Sequence, residues 1–169
     1  MLGAALASGA RANELADAGV APTAELRLKD LHGPTPATLP GGQVVTTTEL
    51  RRQLQAEGSR PLLFDVLGGD GHASLPGAIW LPGAGRGTGF ADDVQRRLAR
   101  VLEMATQGDL ARPMVFFCSG KECWLSYNAA LRAVRLGYTS VLWYRGGIEA
   151  WGASGGALSP PRLVWKPED

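Results

Sequence analysis

Pro113-Met114-Val115-Phe116-Phe117-Cys118-Ser119-Gly120-Lys121-Glu122-Cys123-Trp124 decides how this chain is read. Met114 to Phe117 form a continuous apolar run of strand length. A strand with one wet face would alternate in polarity. A run that does not alternate is the pattern of a strand covered on both faces, as in a parallel sheet. The run ends at Cys118. A short polar loop follows, and Leu125, Ala129, Ala133 and Leu136 then recur at helical spacing until Gly137 stops them. Strand, loop and helix in this order put Cys118 at the carboxyl end of a buried strand, where open α/β sheets bind ligands.

The same alternation extends in both directions. Upstream, Thr46 and Thr47 are placed to cap a helix, with Glu49 able to bond back to the cap, Leu50 and Leu54 on its buried face, and Gly58 and Pro61 ending it. Leu62-Leu63-Phe64-Asp65-Val66 reads as a second buried strand and Ala78-Ile79-Trp80-Leu81 as a third, each followed by a Gly-rich loop. Phe90, Val94, Leu98, Val101, Leu102 and Ala105 mark a helix with Asp92 and Asp93 in its first turn and Gly108 at its close. Downstream, Val141-Leu142-Trp143-Tyr144 is a further strand, and Gly146-Gly147 begins a turn into Ile148-Glu149-Ala150-Trp151. Strands alternating with helices predict an α/β domain, a parallel sheet with helices on both faces, over residues 44–157. Residues 1–43, punctuated by Pro22, Pro34, Pro36, Pro40 and Gly41-Gly42, read as an irregular extension wrapped over it. Within that extension, 25–29 is expected to form a short strand or a turn of helix. Residues 158–169, with Pro160, Pro161 and Pro167, read as an irregular tail.

Composition narrows the function classes. The 169 residues are 45% hydrophobic, enough for a core, and 17 Lys+Arg stand against 16 Asp+Glu for a net of +1. That balance carries no electrostatic footprint for nucleic acid or an anionic membrane surface. No apolar run is long enough to span a bilayer. Ala10-Arg11-Ala12 has the small-x-small spacing of a signal-peptidase site, so residues 1–12 read either as the remnant of an export signal or as a disordered small-residue terminus. Cys118 and Cys123, the two cysteines, cannot fill a zinc site alone, and His32 and His72 have no metal-ligand spacing and read as solvated loop residues.

Several segments resemble the rhodanese-like domain family. Gly137-Tyr138-x-x-Val141 followed by Gly146-Gly147-Ile148-Glu149-Ala150-Trp151 is similar to its C-terminal signature, Phe64-Asp65-Val66 to its Asp-Val strand, and Leu75-Pro76-Gly77-Ala78-Ile79 to its Pro-Gly-Ala segment. Cys123-Trp124, Ser126 and Asn128-Ala129-Ala130 resemble more narrowly the PQQ-dependent catabolism-associated CXXCW motif proteins. The family resemblance implies a rhodanese-like sheet with Cys118 as nucleophile and no cofactor beyond a covalent persulfide. It implies a small sulfur donor or thiol acceptor as partner. The narrower resemblance implies export to the periplasm of a bacterium and association with a component of a quinoprotein system. The chain departs from the family pattern at three places. Leu67 follows the Asp-Val pair where an Arg is common, Ser74 or Leu75 replaces a His before Pro-Gly-Ala, and four residues rather than two separate the cysteines.

The loop residues set the expected chemistry. A thiolate is the reactive form of cysteine, with an ordinary pKa of ~8.5. Loop amides and the next helix's N-terminus would lower it, Lys121 would add a charge, Glu122 would oppose it, and Gly120 would permit the tight turn. Ser119 completes the loop. Cys123 then reads as a resolving thiol that either attacks a persulfide on Cys118 or closes a disulfide with it; the alternative is that both are inert, buried small hydrophobes. Trp124 reads as either the wall of a substrate mouth or a core residue, and Asp65 as a structural acid bonding loop amides, with a catalytic role as the alternative. A sulfurtransferase or thiol-redox enzyme and a non-catalytic binding module both fit. A phosphatase does not, because Trp124 stands where the phosphate-clamping Arg would follow the nucleophile.

Overall fold

The computed structural model describes residues 13–165. Among these, six strands form one sheet in the order β1-β5-β4-β2-β3-β6, with every neighbouring pair parallel. The strands are β1 (Gln43–Val44), β2 (Leu62–Asp65), β3 (Ile79–Trp80), β4 (Met114–Phe117), β5 (Val141–Tyr144) and β6 (Arg162–Leu163), and the helices α1 (Thr47–Gln55), α2 (Asp93–Thr106), α3 (Trp124–Arg135) and α4 (Gly147–Ala153). The α/β reading and its parallel sheet hold. The strand that decided it, β4, lies between β2 and β5 and is buried at all four residues.

Side-chain alternation divides the core in two. Phe64, Val66, Met114, Phe116, Cys118, Val141 and Trp143 face α2 and α3, where they meet Leu98, Leu102, Tyr127, Ala129 and Ala133. Leu63, Val115, Phe117 and Tyr144 face α1 and α4, against Leu50 and Trp151. Phe64 and Phe116 stack at 5.2 Å across neighbouring strands, and Trp143 Nε1 donates to Ser126 Oγ of α3 at 3.0 Å. The cysteines therefore lie on the α2/α3 side of the sheet.

Helix ends follow local chemistry. The capping box at α1 is complete: the Glu49 amide donates to Thr46 Oγ1, and the Thr46 amide donates to Glu49 Oε2 at 2.9 Å. Asp92 is the cap of α2 rather than part of its first turn, accepting from the Gln95 amide at 2.8 Å. It also pairs with Arg132, fully buried on α3, through Nη2 to Oδ2 at 2.9 Å and Nη1 to Oδ1 at 3.0 Å. Arg132 further donates to the carbonyls of Arg86 and Gly89 and so ties the second Gly-rich loop to α3.

Four expectations need correction. Residues 25–29 form neither strand nor helix; the Arg27 amide and carbonyl are satisfied instead by the Asn128 side chain, which removes the need for a ladder. The turn after Gly146 is a true helix, α4, and α1 ends at Gln55, before Gly58. The tail is not wholly irregular: Arg162–Leu163 adds β6 beside β3, and Ser74 and Ser159 bridge antiparallel. Two exposed residues joined by backbone bonds alone leave no polarity pattern to read. The N-terminal segment 1–12, with its export reading, and 166–169 lie outside the described residues. Among the described residues no helix is long and apolar enough to cross a membrane.

The Asp92–Arg132 pair gives the fold a pH signature. Burial raises the Asp92 carboxyl, but the Arg132 guanidinium and the amides of Gln95, Thr88 and Gly89 outweigh it and hold the group well below the usual carboxylate range. A depressed folded-state pKa contributes stability that is present above the unfolded value, about 3.9, and is lost as pH falls towards the folded value. Denaturant midpoints should accordingly fall on acidification below about pH 4. Asp92→Asn should lack this component and lose about 3 kcal/mol at neutral pH by leaving Arg132 uncompensated. Denaturation series of both proteins across pH check this.

Candidate functional site

Cys118 leaves the end of β4 and Cys123 is the N-cap residue of α3; the two are joined by a disulfide, their Cα atoms 6.2 Å apart. Both are buried, with Cys118 1% and Cys123 5% exposed, so neither sulfur lies open to bulk solvent. Of the readings of Cys123 as a thiol that attacks a persulfide, a partner in a disulfide or an inert residue, this state shows the disulfide, and neither sulfur is a free thiolate. A disulfide sulfur does not titrate, and nucleophilic chemistry here must begin with its reduction.

The loop is held from below by α4. The Ile148 amide donates to the Cys118 carbonyl at 3.0 Å and the Glu149 amide to the Ser119 carbonyl at 2.9 Å. This approach requires Gly147, which is left-handed at φ 61°; a Cβ there would stand 2.5 Å from the Cys118 carbonyl oxygen. Gly120 lies equally close to the Glu149 carboxylate, where a Cβ would meet Oε2 at 2.3 Å. Ser119 Oγ is 3.9 Å from Cys118 Sγ.

The loop is held from above by the N-terminal extension. The Trp124 amide donates to the Leu31 carbonyl at 3.0 Å and the Gly33 amide to the Glu122 carbonyl at 2.8 Å, and His32 pairs antiparallel with Cys123. Thr35 Oγ1 donates to the Lys121 carbonyl and Trp124 Nε1 to the Pro34 carbonyl at 3.1 Å. Further along, Tyr127 Oη bonds both the amide and the carbonyl of Thr23. Residues 31–35 thus form a strap across the loop that joins the cysteines.

The side chains singled out in the sequence take up separate places around the loop. Lys121, expected to charge the sulfur, is exposed and donates to Asn13 Oδ1 at 2.8 Å. Glu122 stands 3.7 Å from His32 in a solvent-exposed pair of little energetic weight. Trp124 is a core residue: it is buried, edge-on to Tyr127 at 5.0 Å, and carries the Arg27 guanidinium over its ring at 4.8 Å. Asp65 is fully buried and accepts from the Leu67 amide at 2.9 Å. It lies on the sheet face opposite Cys118, with Leu63 and Phe117, which suits a structural acid. It also accepts from Ser74 Oγ and pairs with His72 Nε2 at 2.6 Å. His72 is therefore a half-buried partner of Asp65 rather than a solvated loop residue.

Arg145 went unnoticed in the sequence and holds the strap in place. It follows β5 on the same ridge where Cys118 follows β4, and it is 2% exposed. Its guanidinium donates to the carbonyls of Glu14, Ala16 and Thr35 and to Thr35 Oγ1, at 2.7 to 3.0 Å. Burial pushes its pKa down, as expected for a cation held by neutral carbonyls. Glu14, beside it, is raised by burial and accepts from the Thr47 amide at 2.7 Å at the start of α1. A charged residue directly after an apolar strand was the only sequence signal for Arg145.

Strap and loop leave an opening beside the disulfide. A cleft of ≈ 460 Å³ is lined by Lys29, Leu31, Leu67, Arg86, Ser119 and Cys123, among others; Cys118 is not on its wall. A larger cleft of ≈ 560 Å³, between α1, Arg60 and Trp151, has no cysteine-loop residue on its wall and is remote from this chemistry.

Comparison with known proteins fits this geometry. The family model described as "Rhodanese-like domain" matches residues 46–154, a span that begins after the strap. No curated protein matches the chain. Among solved structures, it is similar to thiosulfate sulfurtransferase from Pseudomonas aeruginosa (21% identity, TM-score 0.51), covering 73% of this chain and 21% of that one. It is also similar to a full-length protein from Lactobacillus plantarum (16% identity, TM-score 0.53), covering 69% of this chain and 87% of that one. A third likeness is to a variant of EanB in complex with hercynine (17% identity, TM-score 0.50), covering 72% of this chain and 32% of that one. The chain thus spans only about a fifth of the Pseudomonas protein. At these identities the likeness is one of fold.

Arg145→Met removes every one of the anchor's bonds while keeping most of its volume. It should cost about 2–4 kcal/mol, the scale of losing buried hydrogen bonds to a charged group. It should also release the strap, so limited trypsinolysis at Arg27 and Lys29 should become faster than in the wild type. Denaturation and timed digestion read the two effects.

Proposed function

The chain belongs to the rhodanese-like domain family, and on that premise we propose that it is a sulfur-handling thiol protein worked by the Cys118–Cys123 pair. The observation that carries this reading is the disulfide itself, set at the carboxyl end of the central parallel strand. In the oxidised state the pair stores two oxidising equivalents. An external thiol reductant opens it to the dithiol. The Cys118 thiolate then attacks the sulfane sulfur of a donor, whose leaving group departs with the bonding electrons, and a persulfide forms on Cys118. Attack of the Cys123 thiolate on Cys118 Sγ re-forms the disulfide and expels hydrosulfide, so the dithiol supplies the two electrons that reduce the sulfane sulfur. Alternatively, an acceptor thiolate takes the sulfur and returns Cys118 unchanged, which is sulfurtransferase chemistry.

The wider setting follows from the resemblance to CXXCW motif proteins. We place the protein in the bacterial periplasm, where an oxidising milieu favours the disulfide, and alongside a quinoprotein system of alcohol oxidation. Its small-molecule partners are a sulfane donor and a thiol acceptor, with the covalent persulfide in place of any cofactor. A second reading, a non-catalytic module that binds a periplasmic partner, draws on one observation: both sulfurs are buried beneath the strap.

Reduction followed by exposure to a panel of sulfane donors, read by intact mass, separates the readings. The wild type should gain one sulfur, Cys118→Ser none, and Cys123→Ser should hold the added sulfur longer. A pair that resists reduction and never loads would leave the binding module standing.

A further inference from the structure

The two sulfurs of the disulfide are not equivalent to an incoming thiol. Thiol–disulfide exchange proceeds by attack on one sulfur and departure of the other, and the outcome depends on access and on which thiolate is the better leaving group. Both cysteines belong to the packed α2/α3 core, Cys118 on the end of the central strand and Cys123 at the start of α3. The Cys118 carbonyl is bonded to α4, and Cys118 is not among the residues that line the ≈ 460 Å³ cleft. Cys123 lines the ≈ 460 Å³ cleft, with Ser119, Leu67 and Arg86 on one side and the extension's Lys29, Leu31 and His32 on the other. Its place as N-cap of α3, a helix of 12 residues, adds a second asymmetry. The Cys123 side chain makes no capping hydrogen bond in the disulfide, and a thiolate there meets the positive end of the helix. That suits Cys123 as the leaving sulfur of a mixed disulfide and as the attacking thiolate in the reverse direction; access through the cleft is what selects it for the first attack.

Resting on the thiol-disulfide reading above, we propose that Cys123, not Cys118, is the exchange sulfur of this protein, and that the cleft beside it admits a low-molecular-weight thiol. An external thiolate entering the cleft attacks Cys123 Sγ. The Cys118–Cys123 bond breaks, its electron pair goes to Cys118 as a thiolate, and a mixed disulfide joins the external sulfur to Cys123. A second external thiolate attacks the external sulfur of that bond. Cys123 then leaves as a thiolate stabilised at the start of α3, and the external disulfide departs. By microscopic reversibility the oxidation of the dithiol passes through the same mixed disulfide. The extension is therefore a wall of the exchange site rather than only a cover, since residues 28–32 form one side of the cleft. The cleft's size suits a small thiol: pockets for small molecules begin at about 300 Å³.

The sequence supplies a direct test, because Lys121 lies between the cysteines and trypsin cleavage there puts them on separate peptides. The oxidised full chain is mixed with glutathione as the probe thiol, acid-quenched at early times and digested. The glutathionyl adduct should be carried on the Cys123 peptide by about tenfold over the Cys118 peptide, the scale set by differences in cysteine exposure and thiolate character. In the single variants, iodoacetamide should alkylate Cys123 of Cys118→Ser about tenfold faster than Cys118 of Cys123→Ser, for the same reason. An adduct found equally or mainly on Cys118, or equal alkylation rates, would overturn the assignment of Cys123 while leaving the thiol-disulfide function intact. Failure of the disulfide to open at all would overturn both.

Discussion

The burial of β4 on both faces is the constraint from which everything else in the molecule follows. Phe116 and Phe117 point to opposite sides, one into the α2/α3 core and one into the α1/α4 core, so helices must cover both surfaces. Covering both surfaces with right-handed crossovers makes the neighbours parallel, and parallel strands all deliver their carboxyl ends to one ridge. Cys118 and Arg145 stand on that ridge because they directly follow β4 and β5. Val66 follows β2 there, its amide bonded to the Phe117 carbonyl at 3.0 Å.

That ridge carries two opposed polar solutions. At the disulfide, the loop backbone is satisfied from both directions, by α4 amides below and by the strap above. At Arg145, a buried cation is satisfied without a carboxylate, by three carbonyls and a hydroxyl. Carbonyl oxygens compensate a guanidinium less completely than a carboxylate does, and the downward push on its pKa records that cost. The return is positional. A guanidinium donates in a fixed planar fork, so it fixes residues 14–16 and 35 together at one point, which a point charge such as lysine would not.

Long elements with an apolar period were legible in the sequence. β4 and β5 were readable to the residue, and the capping box of α1 followed from Thr46 and Glu49 alone, because these depend on local spacing. What escaped were features set by contacts distant in sequence. The extension has no periodicity, since residues 31–35 bond the backbone of a loop about 90 residues away in the chain and Thr23 and Arg27 bond the Tyr127 and Asn128 side chains of α3. The Asp65–His72 pair escaped for a related reason: His72 sits in a Gly-rich stretch that reads as solvated, and only the return of that loop over the end of β2 brings its Nε2 to the carboxylate. β6 is held by backbone bonds to β3 with exposed side chains, so no pattern of polarity could have marked it.

The cysteine loop shows where spacing informs and where it misleads. Four intervening residues with a glycine allow the chain to turn back, and the Cα separation of 6.2 Å lies within the range a disulfide accepts. Residue type alone, however, suggested that Lys121 and Glu122 would tune the sulfur, whereas in the fold both are turned to the extension, to Asn13 and His32. A thiol's environment is made by whatever packs against it, and here that includes, besides α4 and the α2/α3 core, a segment outside the family span of 46–154. The family's scaffold places the sulfur, and the extension, outside the matched span, covers the loop that carries it and forms one wall of the cleft beside Cys123.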